Sequence, residues 1–221
     1  MKSNPLEKSK PPEVFLPDKT LDEKFSKEVS PACLALYKAT MEKPEFRPDE
    51  VSGLQVGRTL QIFARNARNV LEIGTLTGLG TLFIAEALPD GGKVTTIDLE
   101  NGPAQELGRK YWNMSGVAGK IATKTGDALV VIPEFKDGEL DLVFIDGQNI
   151  QYQEYLDAVL SKMRSGSIVI IDDTLDGDLS NPSTERDRRT LEFNQKLAKD
   201  PRFISVVALN VGEGITIAIK K

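Results

Sequence analysis

Histidine is absent from all 221 residues of the chain, which excludes imidazole general bases, Ser-His or Cys-His nucleophiles and His-ligated zinc. Cysteine occurs once, as Cys33. An internal disulfide is therefore ruled out, a reducing cytosol suits the chain, and Cys33 reads as a small buried apolar residue. No apolar run approaches the roughly 20 residues that span a bilayer, and the lysine- and proline-bearing start lacks the hydrophobic region of a signal peptide. The expectation is a soluble, cytoplasmic protein. Basic residues are scattered and outnumbered, 28 Lys and Arg against 33 Asp and Glu, so the basic stripe of a nucleic-acid binder is missing. Small molecules are the expected partners. Acid-base or metal chemistry is left to carboxylates, lysines, tyrosines, amides and the lone thiol.

The length suits one α/β domain rather than two. Residues 1–18 are polar and proline-rich and read as an arm, poorly ordered or partner-binding. Residues 19–221 read as a single domain, with a helical part over 19–66 and a cofactor-binding core over 67–221. In the helical part, a stretch from Leu21 to Tyr37 is interrupted at Pro31, and Pro48-Asp49-Glu50 predicts a helix start that carries Leu54, Leu60 and Phe63. From Val70 apolar runs alternate with amphipathic ones. Strands are expected near Val70–Ile73, Val94–Asp98, Lys120–Thr125, Leu140–Ile145 and Ser167–Ile171, with helices over 102–115, 150–164 and 184–199. FISVVALN and GITIAIK close the chain around Val211-Gly212-Glu213, a connection short enough to demand an antiparallel hairpin. The predicted fold is a Rossmann-like, doubly wound seven-stranded sheet, mostly parallel with a C-terminal antiparallel hairpin and helices on both faces.

The segment from Val70 to Asp98 carries a strand, a loop with Gly74, Gly78 and Gly80, an apolar helix and a second strand ending in an acid. Glycines there permit a tight turn and close backbone approach, and an acid about 20 residues on can accept the hydroxyls of a ribose. The loop lacks the Lys-Ser/Thr of a phosphate-binding loop and the G-x-G opening of a dinucleotide site. A nucleoside without pyrophosphate fits best, and S-adenosylmethionine is the expected one.

Ligands of an open parallel sheet bind at the carboxyl ends of its strands, and here the acids collect. Glu72 lies in the first strand, Asp98 ends the second, Asp127 follows the third, Asp146 ends LDLVFI, and Asp172 and Asp173 end SIVII. The last two strands should be neighbours, which brings Asp146, Asp172 and Asp173 around one volume. Clustered carboxylates repel unless protons or a cation compensate, and Mg²⁺ or Ca²⁺ takes oxygen ligands of this kind. Singly, each acid also fits the role of a cap for the next helix or turn.

The ordered set EIGTLTG, LPDGGKVTTID, VFIDGQNIQY, IVIIDDTLDGD, EFNQKLAKDPR and VGEGITIAI resembles the metal-dependent O-methyltransferases that include the catechol and caffeoyl-CoA enzymes, over residues 47–221. The resemblance implies S-adenosylmethionine as methyl donor, a divalent cation, a catechol-like acceptor and, as in many caffeoyl-CoA-type members, a homodimer. It implies that Glu72 and Gly74 line the methionine end of the donor and that Thr75, Leu76 and Gly80 also bind it. Asp98 then binds the ribose, Asp127 and Ala128 border the adenine, and Leu99, Asp146 and Gln148 complete the pocket. Asp146 and Asp172 match the two carboxylate metal ligands.

Two positions depart from the family. Asp173 stands where an asparagine ligand is usual, and Asn149 where a lysine serves as general base. An amide cannot take a proton at neutral pH, so Asp146 and Asp173 are the candidates for catalysis beside Asn149, through a coordinated hydroxyl or through Asp173 as base. The chain also has no tyrosine after Tyr155, which argues against a CoA thioester acceptor. Arg186, Arg188 and Arg189 would either meet an anionic substrate or form a solvated face paired with Glu185 and Asp187. Other readings are a donor-binding protein with lost or altered catalysis, and a metal-independent methyltransferase acting on a different nucleophile.

Overall fold

The computed structural model describes residues 26–221, so the predicted arm over 1–18 and the beginning of the first helical stretch lie outside the described residues. The first described helix, α1 (Pro31–Met41), starts at the proline expected to interrupt it. A proline costs little at a first helical position, where its N–H would be unpaired anyway. Ser30 Oγ caps the turn by accepting from the Cys33 N–H at 3.1 Å.

The helix expected from Pro48 begins instead at Leu54. Pro48–Glu50 forms a single 3₁₀ turn, Val51 is extended, and α2 (Leu54–Ala64) starts after Gly53. The physical reason lies at Ser52, whose Oγ donates to Asp146 Oδ2 at 2.5 Å. That bond holds Val51–Gly53 across the strand ends, where a continuous helix could not reach.

Seven strands follow, β1 (Asn69–Ile73), β2 (Lys93–Asp98), β3 (Ile121–Thr125), β4 (Leu140–Ile145), β5 (Met163–Ile171), β6 (Phe203–Leu209) and β7 (Ile215–Lys220). They form one sheet in the order β3-β2-β1-β4-β5-β7-β6. β1 to β5 pair in parallel, and β7 runs antiparallel to both β5 and β6, as the short connection at Val211 requires. The central strands are apolar on both faces because both are covered. On one face Ile73, Val143 and Ile171 pack with residues of α5 (Ala128–Val131), α6 (Tyr152–Leu160) and α7 (Glu185–Leu197). On the other, Val70, Leu142 and Ile170 meet α2 and α3 (Leu79–Ala87).

Residues 150–164 do not form one helix. Asn149–Gln151 is a 3₁₀ turn, α6 ends at Leu160, and Met163 already belongs to β5. The Leu140 N–H takes the Lys162 carbonyl at 2.8 Å, which draws the chain into the sheet before the helical pattern runs out.

A further layer lies outside α3. Cys33 and Leu36 of α1 pack with Leu82 and Phe83 of α3 and Trp112 of α4 (Pro103–Met114). Glu86 joins the three helices through its carboxylate, which accepts from Ser30 Oγ at 2.7 Å, Ser115 Oγ at 2.6 Å and Cys33 Sγ at 3.5 Å. Burial pushes the Cys33 thiol up to about 12. No helix among the described residues is long and apolar enough to cross a membrane.

Leu71, in the central strand, is completely buried. Leu71→Ala should cost about 2–5 kcal/mol, whereas Val130→Ala, at a side chain 71% exposed, should stay within about 0.5 kcal/mol of the parent. Urea denaturation of the two variants checks the contrast.

Candidate active site at the strand ends

β1 has β2 on one side and β4 on the other, so the chain's winding reverses between β1 and β4, and a crevice opens at their carboxyl ends. The two ends approach very closely. A Cβ on Gly74 would lie 1.9 Å from the Asp146 carbonyl oxygen, and Gly74 has φ +96°. The hydrogen-bond ladder continues past the strands, with Asp146 N–H on the Ile73 carbonyl at 2.8 Å and Asp172 N–H on that of Ile145 at 2.9 Å. Sheet pairing therefore sets both aspartates at the same edge.

The glycine loop turns on Asp98. Its Oδ2 accepts from the N–H groups of Thr75 at 3.0 Å and Leu76 at 2.8 Å, which supports Leu76 at φ +48°. Thr75 shares a 2.6 Å hydroxyl contact with Thr96. Outer helices fix the far side of the loop, where Thr40 donates to Thr77 at 2.9 Å and the Trp112 indole N–H to the Gly78 carbonyl at 3.0 Å. Glu72 lies underneath, 1% exposed, and Thr81 donates to it. Gly80 leaves the room that carboxylate needs, since a Cβ there would sit 2.6 Å from Glu72 Oε1. Burial raises the Glu72 carboxyl to about 8, against the hydroxyls of Thr81 and Thr96, which lower it.

The groove continues beside β2 and β3, joined where Gly126 N–H meets the Asp98 carbonyl at 2.8 Å. Leu99 is 61% exposed there. Asp127 caps α5, its Oδ1 accepting from the Leu129 N–H at 2.8 Å, and Ala128 is buried. Gln148 is exposed. Glu50, Val51 and Ser52 close over Gly74, Thr75 and Asp146 and leave a cavity of about 10 Å³, about one water's worth.

The expected acid cluster is brought together at the ends of β4 and β5. Asp172 is buried, and that burial, followed by the charges of Asp146 and Asp173, holds its carboxyl well above the usual range. Asp146 shifts the same way through burial, opposed by Ser52 and reinforced by Asp173 and Glu50. Asp173 adopts φ +53°, and its N–H donates to Asp172 Oδ1 at 3.0 Å. Its own carboxyl is raised by burial and then by Asp176, with Arg186 pulling the other way. Among the described residues no three acid or cysteine side chains already converge as ligands of one ion. The donor chemistry nevertheless fits a hard cation, because buried carboxylates that raise one another are relieved by positive charge. In the segment after Asp146, two polar atoms are buried without a partner, Asn149 Nδ2 and Tyr152 Oη, and the charges of Asp146, Asp173 and Asp172 act on Tyr152.

Sequence reasoning missed several of these residues. Ser52 and Glu50 arrive through the extended segment before α2. Glu213 arrives because the β6–β7 turn bonds to the loop after β5, with Leu175 N–H on the Glu213 carbonyl at 3.0 Å. A signal existed for it, since β7 antiparallel to β5 returns that turn to the site. The arginines divide: Arg189 pairs with Glu185 at 3.2 Å, Arg188 donates to the Ser183 carbonyl at 2.9 Å, and Arg186 pairs with Asp176 at 2.6 Å, beside the acids. Asp187 forms a capping box with Thr184 rather than an ion pair.

A family described as O-methyltransferase matches residues 23–221. The chain is 35% identical over 165 residues to caffeoyl-CoA O-methyltransferase 1 of Eucalyptus globulus, a match covering 69% of this chain and 66% of that protein. It therefore spans about two thirds of that relative's length. It is 29% identical over 180 residues to a catechol O-methyltransferase of Niastella koreensis, covering 75% and 80% of the two chains. Among solved structures, the O-methyltransferase TomG of Streptomyces achromogenes in complex with SAM is similar with a TM-score of 0.78 and 26% identity, over 91% of this chain and 95% of that one.

Glu72 makes the site's electrostatics measurable. Its carboxyl titrates at about 8 in the fold, raised from 4.5, so the native state binds more protons than the unfolded one between those values. Stability therefore falls as pH rises through that window. Glu72→Gln should flatten this part of the profile, read from urea midpoints of ligand-free protein between about pH 5 and 8.5. Parallel profiles for parent and variant would show that Glu72 ionises normally.

Proposed function

The chain belongs to the O-methyltransferase family, and on that footing we propose that it moves a methyl group from S-adenosylmethionine to a hydroxyl of a small catechol-like or phenolic acceptor, with a divalent cation at Asp146, Asp172 and Asp173. The observation that carries this reading is the contact of Gly74 with Asp146, which joins the donor loop and the acid cluster at one point of the sheet edge.

In this mechanism the chain's work is mainly positioning. Asp98 retains Oδ1, engaged at 3.2 Å by the Glu100 N–H, for a ribose while Oδ2 holds the loop. Glu72, Gly74, Thr75, Leu76 and Gly80 surround the methionine end, and Leu99, Asp127, Ala128 and Gln148 border the nucleoside. When bound there, the donor would supply a sulfonium methyl whose carbon–sulfur bond breaks as the bond to the acceptor oxygen forms in line, leaving S-adenosylhomocysteine, with no covalent enzyme intermediate. A bound Mg²⁺ or Ca²⁺ would lower the pKa of an attached hydroxyl and stabilise its oxyanion. Neither Asn149, an amide, nor Tyr152, whose phenol is held well above its ordinary pKa by burial and then by Asp146, Asp173 and Asp172, takes the proton. The proton leaves either from a hydroxyl acidified at the cation or to Asp173, where Asp146 and Asp172 alone hold the cation. The exposed apolar side chains Ile204, Val207 and Leu209 of the edge strand support a homodimer, and the lone buried thiol supports a cytoplasmic setting. Residues 19–221 act as one domain in this reading.

A second reading, a donor-binding protein without turnover, is favoured by Asn149 alone. Labelled S-adenosylmethionine with a panel of catechols should give transfer with Mg²⁺ and at least about tenfold less with EDTA. Transfer indifferent to EDTA would remove the metal, and intact donor binding without any transfer would favour the second reading. Asn149→Lys should raise kcat on simple catechols by about tenfold or more, since a positioned base contributes roughly 10²–10⁴-fold. An unchanged kcat would mean that the proton leaves without help from that position.

A further inference from the structure

Resting on the donor reading above, we propose that Asn101 is a self-modification site, losing ammonia through attack by the Gly102 nitrogen, and that its isoaspartate form binds the donor weakly. Asn101-Gly102 is the one Asn-Gly pair of the sequence, and every other asparagine precedes a residue with a Cβ. Glycine leaves its nitrogen free to approach the side-chain carbonyl before it. Asn101 is exposed and lies outside any helix or strand, and Gly102 is the N-cap of α4. Two neighbours address the reacting atoms. Arg109 Nη1 donates to Asn101 Oδ1 at 2.9 Å, where a guanidinium steadies the oxyanion that attack on Cγ creates. The Gly102 N–H, which must give up its proton, donates to Oε1 of the buried Gln105 at 2.8 Å. Arg109 therefore promotes the step and Gln105 restrains it.

In the reaction the Gly102 nitrogen forms a bond to Asn101 Cγ and ammonia departs with the proton, leaving a cyclic imide. Water then opens the ring at either carbonyl, giving aspartate or isoaspartate. In isoaspartate the main chain runs through Cβ and Cγ, so it is longer by a methylene and carries a new carboxylate. The position makes that extra carbon matter. Only residues 99–102 connect β2 to α4, and both ends of this link are fastened to the glycine loop. At one end Asp98 holds the Thr75 and Leu76 N–H groups and takes the Glu100 N–H at 3.2 Å. At the other, the Trp112 indole N–H holds the Gly78 carbonyl at 3.0 Å. There α4 comes so close to the loop that a Cβ on Gly108 would lie 2.3 Å from the Thr77 carbonyl oxygen. A lengthened link between two fastened ends displaces one of them, either Asp98 or α4.

Ligand-free protein is held at mildly alkaline pH, and conversion is followed by peptide mass mapping with fragmentation that separates isoaspartate from aspartate. Asn101 should convert before any other asparagine, Arg109→Gln should slow it severalfold, and Gly102→Ala should stop it. Alanine fits at that position, where a Cβ would meet nothing nearer than Gln105 Oε1 at 4.0 Å. Converted protein, separated by its added negative charge, should bind S-adenosylhomocysteine at least about tenfold more weakly in calorimetry. The emission of Trp112, the one tryptophan of the sequence and 2% exposed, should move to longer wavelength. Incubated Gly102→Ala should keep both its affinity and its emission. An Asn101 that stays intact or converts after other asparagines overturns the inference, as does converted protein with unchanged affinity. If fresh protein binds no S-adenosylhomocysteine, the donor reading fails and the emission of Trp112 decides. A shift on conversion then sustains the inference, and an unchanged spectrum overturns it.

Discussion

The site depends on one backbone contact, Gly74 against the carbonyl of Asp146. No side chain fits at position 74, because its first carbon would overlap that oxygen at 1.9 Å. The contact lets β1 and β4 end side by side, with Ile73 level with Ile145 and Ile145 with Ile171. From that alignment Asp146 and Asp172 follow as the next residues of their strands. On the other side the same closeness sets the glycine loop over the end of β2, where Asp98 can hold two of its N–H groups. A change in sheet register would move the donor loop and the acids together.

The sheet was legible because its strands are short apolar runs separated by glycine, proline and acid-rich connections, and a parallel sheet covered on both faces needs such runs. Asp146, Asp172 and Asp173 were legible as neighbours for the same reason. Pro48 misled because a proline followed by acids is a good helix start in isolation; the competing bond from Ser52 to Asp146 is a contact between residues far apart in sequence. Met163 misled similarly, since its apolar spacing continues the helix while a carbonyl one residue earlier is taken by β4. Glu213 and Asp176 escaped notice because their arrival depends on which backbone groups the final hairpin turn finds.

Asn149 and Asp173 act on the site's electrostatics in the same sense. With an amide at one position and a carboxylate at the other, neither brings positive charge to Asp146 and Asp172. Glu72 shows the same economy of solvent elsewhere: a carboxyl with almost no exposure is retained only because threonine hydroxyls and the gap at Gly80 accommodate it. The segment Glu50–Ser52 adds to this character and also narrows the cleft, so one short stretch of chain contributes both charge and closure.

The junction at Glu86 has a chemical corollary. The reactive form of a thiol is the thiolate, and Cys33 is both wholly enclosed and held protonated at about 12. While α1 stays seated on α3 and α4, the single sulfur nucleophile of the protein is inert to alkylation and oxidation. Its rate of capture by a thiol reagent is thus an internal clock for the lifting of that outer layer, the same layer whose Thr40 secures the glycine loop.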